Sequence, residues 1–144
     1  MKKFYFLFLM TLLTSTVSVQ AQTFSQMSEK KRNAELIKMA RKVYQDPLFA
    51  DFYERYGDNG QPTVKSRITP KDSPLHDGKN HGLGELVYDV CFYTNKFEEG
   101  EFEAVRVIID DKMGLPFAIF FDKKTAYTIV DHPLLFDKYK YRSK

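Results

Sequence analysis

A single cysteine in 144 residues rules out an internal disulfide, so the fold must be held by its core. The chain also has no tryptophan and only 3 histidines, and its 22 basic residues nearly balance 19 acidic ones. So even a balance argues against nucleic acid as a partner, because nucleic-acid binders carry a clear basic excess. Long apolar runs are missing too: the most apolar stretch, Phe4 to Leu13, is about ten residues, against the roughly 20 a membrane-spanning helix needs. There is no glycine-rich phosphate loop, nucleophile elbow, paired-histidine metalloprotease motif or redox cysteine pair. No reaction, cofactor or metal is therefore expected from linear motifs. A dyad assembled from distant strands would leave no linear trace.

The apolar stretch that does exist sits in a recognisable context. Lys2 and Lys3 precede it, and Val19-Gln20-Ala21 supplies a small-residue exit, the pattern of a secretory signal peptide cleaved after Ala21. Removing these 21 residues from 144 would leave 123, one ordinary domain over 22–144. Because Lys2 and Lys3 leave with the leader and no acid does, the net charge would fall from +3 to +1. The expected address is outside the cytoplasm, periplasmic or secreted, with no membrane span after processing. The Lys138 to Lys144 tail is locally basic and reads as a solvated terminus.

Glu101 to Asp131 reads as three consecutive antiparallel strands, with turns at Asp110 to Gly114 and Asp122 to Lys124. These turns set Val105, Val107, Ile109, Leu115, Phe117, Ile119, Phe121, Tyr127 and Ile129 on one face, because side chains alternate with a period of two. The alternating stretch Glu85 to Thr94 adds Leu86, Tyr88, Val90 and Phe92. With the 95–100 connection, Phe92 is expected opposite Glu103 and Asp89 opposite Arg106. Cys91, inside this strand, reads as a buried inert thiol.

Upstream, Ser28 is placed to cap a helix carrying Leu36, Ile37, Ala40, Val43 and Tyr44 at helical spacing. Asp46-Pro47 starts a second helix with Leu48, Phe49, Phe52, Tyr53 and Tyr56 on its apolar stripe, and Gly57 stops it. A short strand is expected at Thr63 to Ile68. Pro133 should open a short helix or turn that folds Leu134, Leu135 and Tyr139 back on the body. The predicted architecture is α+β, with two N-terminal helices packed on one face of a curved antiparallel sheet of four or five strands. This order of elements, helices first and then a strand meander, resembles the cystatin-like and nuclear-transport-factor-2-like folds. Such folds host inhibitors, binding modules and enzymes alike.

Two regions are candidate binding sites. One is the loop from Thr69 to Leu83, where Asp72, His76, Asp77 and His81 are suitable ligand types for zinc, nickel or copper but lack a recognised spacing. They read as a solvated loop that could contact a partner. The other is the reverse face of the sheet: Val87, Asp89, Cys91, Tyr93, Phe102, Ala104, Arg106, Ile108, Ala118, Phe120, Ala126, Thr128 and Val130. It is too apolar to stand in water uncovered: the chain's own loop and C-terminal segment, a second copy, or a partner or ligand is expected to cover it, and large apolar patches mark interaction sites. The chain is therefore expected to be a non-catalytic, exported binding module of the bacterial cell envelope, of inhibitor or immunity type. It would recognise a protein or peptide, or a second copy of itself, through this face or loop. The alternative is a small-molecule-binding protein or enzyme with a pocket between helices and sheet, lined by Phe49, Phe52, Tyr53, Tyr56, Tyr88 and Tyr127.

Overall fold

The structure, a computed structural model, describes residues 23–70, 84–93, 105–121, 125–129 and 132–139. Residues 1–22, where the sequence suggests a leader, loop residues 71–83 with His76, Asp77 and His81, the 95–100 connection, Phe102 and the residues from 140 on lie outside the described residues. Helix α1 spans Glu29–Tyr44 with Ser28 at its N-cap, where the sequence put it. Leu36, Ala40, Val43 and Tyr44 are its buried stripe, because residues three and four apart lie on one helical face. Asp46 then caps a tight helical turn, Pro47–Phe49, by accepting the Leu48 N–H at 3.1 Å. Helix α2, Ala50–Tyr56, follows and ends at Gly57, whose φ of 68° suits a residue without Cβ. The Tyr44 hydroxyl donates to the Gly57 carbonyl at 2.9 Å. Burial, aided by neighbouring Tyr53 and Asp58, pushes the Tyr44 phenol well above its ordinary range.

Five strands form one antiparallel sheet in sequence order: β1 Thr63–Ile68, β2 Leu86–Phe92, β3 Val105–Asp110, β4 Pro116–Phe120 and β5 Ala126–Thr128. The protein is thus α+β, with α1 laid across β1 to β4. Among the described residues there are three helices, two of them short, and none long and apolar enough to cross a membrane. The core joins Leu36, Ala40, Val43 and Tyr44 to Tyr88, Val90, Phe92, Val105, Val107, Ile109, Ile119, Phe121 and Ile129. Apolar alternation therefore assigned the helix-covered face correctly for the last nine of these residues, seven within strands and Phe121 and Ile129 just past the ends of β4 and β5.

The β4–β5 pairing, Ile119 opposite Tyr127, is the one the turn length implies, but the β2–β3 pairing differs from the predicted register by a slip of two. Phe92 lies opposite Val105, Val90 opposite Val107 and Tyr88 opposite Ile109. A slip of two keeps every side chain on its face but changes its partner. The observed register gives each core residue an apolar neighbour, whereas the expected one set Phe92 against Glu103. Between β3 and β4, Ile108 faces Ala118 while Ile109 faces Pro116. One step on β3 thus matches two on β4, making Phe117 the extra residue of a bulge. Freed from strict alternation, Phe117 packs with Val87, Ile108 and Ala118 and not in the helix-facing core where the sequence placed it.

The turn before the bulge is built on Asp110, whose carboxylate accepts the Met113 N–H at 2.6 Å while its carbonyl accepts the Gly114 N–H. Burial raises the Asp110 carboxyl, with Glu85 and Asp111 adding to the rise against the stabilising turn amides. Helix α3, Pro133–Tyr139, buries Leu135 and Tyr139. Leu134, expected to fold inward with them, is 78% exposed. Successive residues lie about 100° apart around a helix, which here carries Leu134 out of the face that buries Leu135 and Tyr139.

Candidate functional site on the outer face of the sheet

The face turned away from α1 contains every described member of the reverse-face set. Val87, Cys91, Ile108 and Ala118 are buried within a single copy of the chain, and so is Asp89. Cys91 is a free, buried thiol, as expected. Arg106 and Phe120 are half-buried, and Tyr93 is half-buried at the end of β2, its hydroxyl 3.0 Å from Thr63 Oγ1. On the short edge strand β5, Ala126 is exposed and Thr128 half-buried. Of the nine candidate residues proposed from sequence, Asp89, Tyr93, Arg106, Ile108 and Phe120 are thus brought onto one surface. His76, Asp77, His81 and Phe102 lie outside the described residues.

The charge pairing on this face is not the one the sequence suggested. Asp89 lies across from Ile108 on one side and Lys65 on the other. Its carboxylate is held by Arg67 in a fork, Nε to Oδ2 at 2.7 Å and a second guanidinium nitrogen to Oδ1 at 3.3 Å. Two parallel N–H bonds to one carboxylate fix geometry as well as charge. Arg106, the expected partner, instead lies opposite Cys91 and Phe120, its guanidinium carbon 4.9 Å from the Phe120 ring centre. Cation and ring face then support each other, an arrangement worth about 0.5–1 kcal/mol at an exposed site. The two-residue slip moved Arg106 away from Asp89. Arg67 had the right parity on β1 to be found, but the sequence offered no β1–β2 register.

Two further polar clusters tie the elements together. Asp111 accepts both the backbone N–H and the hydroxyl of Ser25, at 2.7 and 2.8 Å. It lies beside Tyr88, whose ring carries the Arg32 guanidinium at 5.5 Å. Burial and then the Asp111 charge raise the Tyr88 phenol, with Arg32 opposing. At the other end, Asp46 accepts from Leu48, Lys138 and the Tyr139 hydroxyl. The sequence marked Asp46 as a cap and Asp111 as a turn residue, but neither long-range tie has a local signature.

Between helices and sheet, where the alternative reading expected a pocket, aromatic rings pack against one another. Phe52 stacks on Phe121 with ring centres 3.9 Å apart, and Phe49 meets Phe121 at 5.1 Å and Tyr127 at 5.3 Å. Tyr127, expected in the core, is 38% exposed because its strand is at the sheet edge. Among the described residues no group of three or more histidine, cysteine or acidic side chains is placed to hold a metal ion. Compared with known proteins, the chain matches no family model, no curated sequence and no solved structure.

Proposed function

We propose that the chain is a non-catalytic binding module of the bacterial cell envelope, exported by its leader and acting on a protein or peptide, as an inhibitor or immunity-type protein does. The helix-first meander, which resembles the cystatin-like order of elements, suits that role as a rigid platform. The observation that carries the proposal is the Arg106–Phe120 stack, half-exposed and surrounded by buried Val87, Ile108 and Ala118. Arginine and aromatic residues over a desolvated apolar base are the composition of interface hot spots. A small-molecule carrier is less well supported, since Phe49 and Phe52, two of the rings that would line its cavity, both make ring contact with a third, Tyr127.

The test is capture from a solubilised envelope fraction by the immobilised mature chain, compared with an Arg106→Ala/Phe120→Ala double variant. Each hot-spot truncation costs about 2 kcal/mol or more, so recovery of a specific partner is expected to fall at least about tenfold. Both side chains are half-exposed, and the variant is expected to keep the wild-type circular dichroism spectrum. Equal recovery by the two proteins, or no specific partner for either, would count against the proposal.

A further inference from the structure

Arg106 stands on β3, the central strand of the sheet, with Cys91 beside it on β2 and Phe120 on β4. Cys91 is buried, as are Ile108 and Ala118 next along the same face, so the base under the half-buried guanidinium is apolar. Arginine keeps its charge at any ordinary pH and cannot shed it to escape such a setting. A charge drawn partly out of water is costly unless something compensates it. The compensation seen inside the chain is the Phe120 ring, 4.9 Å from the guanidinium carbon. A ring attracts the charge but offers its five N–H donors no oxygen to bond.

The acids of the same face are engaged elsewhere. Arg67 holds the Asp89 carboxylate in its fork. Asp110, at the end of β3, accepts the turn N–H groups of Met113 and Lys112. The other ion pairs join Arg41 to Asp58, Lys112 to Glu85 and Lys138 to Asp46. Among the described residues Arg106 therefore has no carboxylate partner. This sets it apart from Arg67, whose charge is answered within the sheet.

We infer that Arg106 is the receptor for one carboxylate of the partner protein, an aspartate or glutamate side chain set among apolar residues. The guanidinium fork matches a carboxylate through two parallel N–H···O bonds. One free charge answers one carboxylate, and not the nearly double charge of a phosphate group. A side chain also suits the site better than a chain end. Its methylene stem can lie on Phe120, Ile108 and Ala118 while the partner's backbone stays clear, whereas a terminal carboxylate would press its own polar peptide group onto that apolar base. This inference rests on the binding-module reading and names the group its partner brings.

The probe is an end-blocked peptide, leucine–alanine–glutamate–alanine–leucine, with glutamine in place of glutamate as its control. The isotope-labelled mature chain is followed by NMR at its arginine Nε–H resonances, that of Arg106 being assigned by its loss in Arg106→Lys. The glutamate peptide is expected to shift this resonance and to bind at least about fivefold more tightly than the glutamine peptide, because the charge pair forms over an apolar base. Arg106→Gln, expected to keep the wild-type backbone spectrum, should bring the ratio of the two affinities to about one. Equal binding of the two peptides to the wild type, no shift at Arg106, or no binding at all overturns the inference. So does equally tight binding of inorganic phosphate, or of the glutamine peptide with a free C-terminus, which would give the site to any anion or to a chain end. An Arg106 resonance that moves without peptide between about pH 3 and 6, as far as that of Arg67 does, also overturns it, since the chain's own carboxylates would then hold the charge. If the peptides fail while the Arg106/Phe120 capture comparison succeeds, the inference falls and the binding-module reading stands; failure of both removes the reading as well.

Discussion

Phe121→Ala is expected to cost about 3–5 kcal/mol of folding stability, the range for deleting a large aromatic from a packed core. Phe121 is wholly buried and makes ring contact with Tyr44, Phe49, Phe52 and Tyr127. It therefore joins α1, the turn after it, α2 and the edge strand β5 at one point. Removing the ring leaves a cavity bounded by four aromatic side chains, which are too rigid to collapse into it. Against a total stability of about 5–15 kcal/mol for a domain of ordinary size, this is enough to bring the protein close to half-unfolded in mild denaturant. Urea titration followed by circular dichroism, which needs no tryptophan, should show the midpoint fall sharply with the slope unchanged. A shift of under about 1 kcal/mol would mean that the aromatic cluster is not the element that holds helices to sheet.

Asp46→Ala is expected to cost about 2–3 kcal/mol, since one carboxylate serves as helix cap and as acceptor for Tyr139 and Lys138. Most of this belongs to the cap and the buried hydroxyl. Lys138 is half exposed, and an ion pair in water is worth little. Burial alone would raise the Asp46 carboxyl, but bonds from Lys138, the Leu48 N–H and Tyr139, with the Lys138 charge, hold it below the ordinary range. Its contribution is therefore fully present above about pH 4, the unfolded value for aspartate, and is lost as pH falls through the lower folded value. Asp46→Asn keeps the shape and removes the titration. The stability gap between wild type and Asp46→Asn should be constant at neutral pH and narrow in acid; a gap that widened in acid would contradict this sign. Tyr139, which donates to Asp46, is itself pushed up by burial and then by that carboxylate.

The extent of this that could be read in the sequence follows from the range of each signal. Ser28 and Asp46-Pro47 placed the helix starts, and the Thr63–Ile68 strand was found between its flanking prolines, because caps and breakers act over three or four residues. The helix-covered face was legible from Tyr88 to Ile129, since parity survives any slip of two residues. The β4–β5 pairing, Ile119 opposite Tyr127, was legible from the short turn between them, but the β2–β3 pairing was not: parity cannot tell Asp89 opposite Arg106 from Asp89 opposite Ile108. The Phe117 bulge adds one residue to β4 and leaves no compositional mark. Contacts such as Ser25 with Asp111 and Tyr139 with Asp46, 86 and 93 residues apart, depend on how layers dock. The outer-face site was legible as a set of residues, while the partners within it, Arg67 for Asp89 and Phe120 for Arg106, required the register.

The account depends most on the claim that the outer face of the sheet meets a partner and the helical surface does not. Photo-cross-linking tests this directly. A benzophenone amino acid would be placed at Phe120 in one variant and at Leu134, an exposed position on α3, in another. Both would be irradiated in intact cells expressing the full-length chain. The account predicts one discrete cross-linked band from position 120, absent from position 134 and abolished by adding Arg106→Ala. No band at position 120, or the same band from both positions, would contradict it.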